Sequence, residues 1–319
     1  MTKEIGGYME LEYFTGQEYY DDLFRINLGR TALVFLLQNL DCRRIYIPRY
    51  ICDSVIHSVE LAGYEVVLYP IDEHLMPILS PEEPDPEQDW VYIVNYYGQL
   101  NESDIRSLNA KYHNRIILDN AQAFYQKPVD DVHCIYTARK FFGLSDGAYI
   151  YSPAPLRTDL PPDRSAGRMK HILGRLEDNA RVHYSEMLAV SDTFADALPC
   201  GMSHLTRNLL RGIDYEHAAR RRCENYHILQ QLLPSENAFT RRTPIVPFAY
   251  PMYHPEGVRL RKYLAEKSIF VPTNWSYLLK LMPEDSLEFD WSANILPLPI
   301  DQRYGEAEMQ IIAEAIRQF

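Results

Sequence analysis

The sequence predicts an α/β protein. A large domain over residues 1–210 carries a mostly parallel, seven-stranded sheet, and a smaller C-terminal α+β domain occupies 211–319. Three observations predict it. Short apolar runs are continuous rather than alternating, the mark of strands buried on both faces of a parallel sheet. They alternate with helical segments through the first half of the chain. After about residue 152 the texture changes to Pro-rich connections and amphipathic helices.

The elements follow in order. Residues 31–40 (TALVFLLQNL) are apolar almost all round, so they form a buried helix. Residues 44–47 (RIYI) are a short strand closed by Pro48. Ile51, Val55, Val59 and Ala62 recur at helical spacing, and Gly63 ends that helix. Residues 65–69 (EVVLY) are a strand, and 80–89 (SPEEPDPEQD) an acidic, Pro-rich surface loop. Strands at 90–95 and 115–119 flank a helix at 102–113, and strands at 134–137 and 148–152 follow. Residues 153–164 are a Pro-rich connection and 167–195 read as helical. Ala219, Cys223, Tyr226, Leu229 and Leu233 mark an amphipathic helix ending near Pro234. An extended stretch over 244–255, a helix at 256–267, a strand at 268–271 and a helix at 305–319 close the chain.

Composition bounds the function. The chain has 319 residues, 46% hydrophobic and 24% charged, which excludes intrinsic disorder and leaves enough apolar side chain for a sizeable core. Its net charge of −12 lacks the basic footprint of a nucleic-acid binder. No apolar run approaches the roughly 18 residues of a membrane span. The start, MTKEIGGYMELEYF, has no apolar core of a secretory signal, so a cytoplasmic protein is expected. Cys42, Cys52, Cys134, Cys200 and Cys223 are odd in number and widely spaced. They read as reduced, mostly buried thiols rather than a disulfide framework or a zinc site. The histidines form no metal-type cluster, and no metal is expected.

Ligands in open α/β sheets bind at the carboxyl ends of the strands. Four segments there stand out. Asp119-Asn120-Ala121-Gln122 follows an apolar strand; Asp119 either caps the next turn or points into the crevice. Thr137-Ala138-Arg139-Lys140 follows the strand CIY. A lysine three residues after a hydroxyl suits a Schiff-base lysine beside a phosphate-binding hydroxyl, although most lysines are solvated surface charges. Arg139 is either a cation that depresses the lysine pKa or a surface residue. Asn27-Leu28-Gly29-Arg30-Thr31 opens the buried helix, where backbone N–H groups favour an anion; Arg30 there either meets one or reaches solvent. Asn95-Tyr96-Tyr97-Gly98-Gln99 either lines a flat ligand or packs as a turn.

Taken together, these segments resemble the DegT/DnrJ/StrS family of pyridoxal-phosphate (PLP) sugar aminotransferases. VNYYGQLNESDI, RIILDNAQAFY and ARKFFGLSDGAYIY are similar to three of its conserved stretches, with GRTAL, IPRYICDSV, RRRCENYHILQQLL and ILPLPID adding weaker likeness. The resemblance covers most of the chain and is strongest over 27–152. It implies the aspartate-aminotransferase type I fold, as a homodimer with the site between subunits. It implies PLP on Lys140, which also shuttles the substrate proton, and Asp119 paired with the pyridinium nitrogen. A carboxylate there keeps that nitrogen protonated and the ring an electron sink. Gln122 falls near the cofactor's 3-hydroxyl, and Gly29, Arg30, Thr31 and Thr137 near its phosphate.

The chain departs from the family pattern at three places. Ile135 stands where the family has Ser. Cys52 stands where an aromatic covers the ring, so Tyr50 or Tyr96 is expected to take that role. LPCGMS (198–203) lacks the Asn given to the partner's phosphate. The implied activity is amino transfer, from glutamate, to a keto group of a nucleotide-linked sugar in polysaccharide or natural-product assembly. Two alternatives stand beside it: a PLP enzyme acting on an amino acid or small keto substrate, and a catalytically degenerate homologue used as a binding protein.

Overall fold

The computed structural model describes residues 5–157, 159–233 and 243–319; Pro234, the expected helix stop, and residues 1–4 lie outside them. The large sheet has seven strands: β1 (Phe24–Ile26), β2 (Arg44–Pro48), β3 (Glu65–Tyr69), β4 (Asp89–Val94), β5 (Ile116–Asp119), β6 (His133–Thr137) and β7 (Ala148–Tyr151). Their order is β1-β7-β6-β5-β4-β2-β3. The pairings β3–β2–β4–β5–β6 are parallel, and β7 lies antiparallel to β6 and to β1. β4, β5 and β6 are buried at every position, the reason their sequences are apolar without alternation.

Helix α1 (Gly29–Asn39) is buried from Thr31 to Leu37, as an all-round apolar helix must be. α2 (Asp53–Leu61) ends before Gly63, whose φ of +88° is the left-handed stop. α3 (Glu102–Lys111) begins at a reciprocal box. The Asn101 side chain accepts from the Asp104 N–H at 2.8 Å, and the Asp104 carboxylate accepts from the Asn101 N–H at 3.0 Å.

The region expected as helical over 167–195 is two short helices, α4 (Lys170–Glu177) and α5 (Tyr184–Asp192). α6 (His204–Leu210) leads to α7 (Tyr215–Leu232), which starts where Asp214 accepts from the His217 N–H at 2.8 Å. Then come β8 (Tyr250–Tyr253), α8 (Gly257–Glu266), α9 (Leu278–Leu281), α10 (Leu287–Asn294), β9 (Ile295–Leu298) and α11 (Glu306–Arg317). β8 and β9 form a separate antiparallel pair. A second apolar cluster gathers around it, from Tyr226 and Leu229 of α7 to Met309 and Ile316 of α11.

Two expectations need correction. Residues 268–271 are not a strand. The Ser268 and Ile269 N–H groups donate back to Ala265 and Leu264, and Ser268 takes φ +65°, so this apolar stretch is the wrapped end of α8. The strand that pairs with β8 is instead β9, which α10 enters directly, with no breaker to mark it. Of the free thiols only Cys134 is buried; the other four are half-buried.

Candidate active site

The carboxyl ends of β4, β5 and β6 meet in one place. Asp119 is the last residue of β5 and sits in register beside Ile135 of β6. It is 8% exposed. Its Oδ1 accepts from the Ala121 N–H at 2.7 Å, so it does close the local turn, but no helix follows. No cation forms an ion pair with it among the described residues. Burial pushes the carboxyl above its ordinary range. The Lys140 ammonium, the Ala121 N–H and the Tyr92 hydroxyl pull it partly back.

Gln122 is buried, and its side-chain oxygen accepts from the Tyr97 N–H at 2.8 Å. This bond holds Tyr97 at φ +53°, in the turn after β4. Behind it, Asn95 donates to Asn120 at 2.9 Å, tying the β4 and β5 ends together. Lys140 lies on the turn after β6 and is exposed. Its ammonium is 5.9 Å from the Phe248 ring centroid and makes no hydrogen bond or ion pair among the described residues. The turn itself is held from the C-terminal side. The Phe141 carbonyl accepts from Arg222 Nη2 at 3.1 Å and from Gln302 Nε2 at 2.9 Å.

The two threonines face inward. Thr31 Oγ1 donates to Asn27 Oδ1 at 2.6 Å and accepts from the Leu28 N–H at 3.2 Å. Thr137 donates to the Gly147 carbonyl at 3.4 Å. Gly29 opens α1, and a Cβ there would meet nothing within 4 Å. Arg30 does not run out to solvent; its Nη1 donates to the Phe194 carbonyl at 3.1 Å.

Cys52 caps α2 by position and offers no ring. Tyr50 and Tyr96 are both buried and lean on one another at 5.5 Å, with the Tyr96 hydroxyl donating to the Tyr50 carbonyl at 2.5 Å. A neighbour they share is Trp275, 4.3 Å from Tyr50 and 5.8 Å from Tyr96 between ring centroids. Sequence reasoning missed Trp275, Phe194 and Arg168. None lies at a strand end, and only the fold brings them to the sheet.

No family model and no curated protein matches the chain by sequence. Solved structures do. The chain superposes on the sugar aminotransferase CalS13 from Micromonospora echinospora with a TM-score of 0.63 at 13% identity, over 93% of this chain and 87% of that one. On DesV of S. venezuelae the values are 0.62 and 17%, over 96% and 90%. On a DegT DnrJ EryC1 StrS aminotransferase from Brucella abortus they are 0.58 and 13%, over 93% and 85%. The seven-stranded, mostly parallel sheet and the helices around it are the fold of these aminotransferases.

Proposed function

We infer that this chain is a PLP-dependent aminotransferase that moves an amino group, with glutamate as donor, to a keto group of a nucleotide-linked sugar. The carrying observation is Asp119: a buried carboxylate at a strand end, with no ion-paired cation, in the field of an unbonded Lys140. A protonated pyridine nitrogen would supply the missing cation, so the residues fit the group. PLP, when bound, acts as the electron sink that lets an amino acid exchange its amino group. Asp119 holds a proton on the ring nitrogen. Lys140, free of other bonds, is the anchoring amine and the base that moves a proton at the substrate's α-carbon. Gln122, fixed by the Tyr97 N–H, would lie beside the ring.

Two further parts of the reading rest on exposure and composition. Ile5, Tyr8 and Met9 near the N-terminus, and Leu176 and Leu198 beyond the sheet, are exposed apolar side chains that a second copy would cover, in keeping with a homodimer. Free thiols accord with the cytoplasm. A small keto acid remains the alternative acceptor. A cofactor-binding homologue without turnover is the other reading, favoured by Ile135, Cys52 and the missing Asn.

The test is a half-reaction. Protein loaded with PLP and given L-glutamate should yield 2-oxoglutarate and the pyridoxamine form, and Lys140→Ala should yield neither. Loaded protein that releases no 2-oxoglutarate would reject the enzyme reading. Nucleotide keto-sugars and free keto acids, offered next, identify the acceptor.

A further inference from the structure

Three arginines converge on Phe194, one of them, Arg30, from the first turn of α1. Arg139 Cζ lies 4.5 Å from the Phe194 ring centroid and Arg168 Cζ 5.2 Å from the same ring, while Arg30 bonds the carbonyl of that residue. Phe194 is 2% exposed, so the ring is an internal post around which the guanidinium groups are arranged. Arg168 has one carboxylate partner, Asp163 at 2.8 Å, and its Nε is buried without a partner. Arg139 has none. Its Nε is buried and unpartnered, and the guanidinium makes no hydrogen bond or ion pair among the described residues.

Apart from Asp163 on Arg168, the nearby acids form no ion pair with the group among the described residues. Asp146 feels the charge of Arg139 but is spent on the Ser203 N–H and hydroxyl and the Thr206 hydroxyl. Asp53 and Cys52 lie toward Arg30, and His171 toward Arg139. Burial, with repulsion from Arg30 and Arg168, pushes Arg139 down to about 10. Like charges gathered at a half-buried site are costly unless an anion completes them.

We propose that Arg30, Arg139 and Arg168 form a cradle for a phosphate monoester, and that in the functional protein it holds the phosphate of PLP. This rests on the cofactor reading above and deepens it. The cradle explains why the hydroxyl inventory at this end of the sheet is short. Ile135 has no hydroxyl, and Thr31 and Thr137 turn theirs inward. Planar guanidinium forks replace them, with bidentate geometry toward phosphate oxygens. All three arginines come from one chain, so this phosphate contact needs no partner residue.

The experiment compares wild type, Arg139→Gln and Arg168→Gln. PLP and phosphate-free pyridoxal are titrated by quenching of tryptophan fluorescence, and inorganic phosphate by thermal shift against chloride at matched ionic strength. Each substitution should weaken PLP at least about tenfold, the worth of a charge-assisted hydrogen bond, and leave pyridoxal unchanged. Wild type should be stabilised by phosphate and Arg139→Gln should not. The phosphate arm reports on the cradle even if the protein binds no pyridoxal compound. Equal loss of PLP and pyridoxal, no loss of PLP, or a phosphate shift that survives Arg139→Gln would overturn the proposal.

Discussion

Arg222 and Arg139 are the same residue type in nearly the same physical predicament. Arg222 is buried and Arg139 half-buried with its Nε shielded from water, each faces a Phe ring at about 4.5 Å, and burial pushes each down to about 10. Their surroundings differ. Arg222 on α7 donates to Gln302 Oε1 at 3.0 Å and to the carbonyls of Phe248 and Phe141 at 3.0 and 3.1 Å. It is a finished structural clamp that ties the Lys140 turn to the C-terminal part of the chain. Arg139 has no acceptor at all among the described residues. A buried cation with its acceptors in place holds a fold together; one without them awaits a ligand. Asp119 is a buried charge of the opposite sign that accepts hydrogen bonds but has no ion-pair partner among the described residues. A molecule that is cationic at one end and a phosphate at the other answers both deficits.

The comparison can be broken in three places. Arg222→Met should cost the most, about 3 kcal/mol in chemical denaturation, because it orphans several buried carbonyls at once. A loss below about 1 kcal/mol would show that the clamp is not structural. Asp119→Asn should weaken PLP binding and amino transfer roughly a hundredfold, through loss of the charge facing the ring nitrogen. Without cofactor the same variant should be no less stable than wild type, since the Ala121 N–H keeps an acceptor.

That stability difference has a pH signature. Asp119 has its pKa raised on folding, so its contribution is intact below the ordinary carboxylate pKa of about 4 and is lost as pH climbs through the folded value. Paired denaturation curves of wild type and Asp119→Asn should therefore converge at acid pH and separate toward neutrality. Curves that separate only in acid would mean that the native carboxylate is stabilised rather than strained. Smallest is Arg139→Gln without ligand, expected to gain about 1 kcal/mol by removing an unpaired buried charge. A loss of that size would place Arg139 with Arg222 as a structural residue.

The legible parts of the molecule are those whose physics is local. β4 to β7 were readable because strands buried on both faces are written as continuous apolar runs. Asp119, Gln122 and Lys140 were readable because such strands deliver their next residues to one edge of the sheet. β1 has three residues and owes its existence to pairing with β7, so nothing in FRI announces it. The stretch IFV after α8 pairs with no strand among the described residues, because its backbone turns back onto α8. The arginine cradle escaped for a different reason. Arg139 was visible beside the lysine, but whether it faced solvent or an anion depended on Arg168 and Phe194, which come from the irregular region after β7. Trp275 reaches Tyr50 across more than two hundred residues, a contact no periodicity encodes.

The central claim is that Lys140 anchors PLP at this strand-end site. Borohydride reduction of the protein incubated with PLP, followed by peptide mass spectrometry, tests it most directly. The account predicts one stoichiometric pyridoxyl label on the peptide containing Lys140, absent from Lys140→Ala. A label spread over surface lysines, or one that persists in Lys140→Ala, would contradict it.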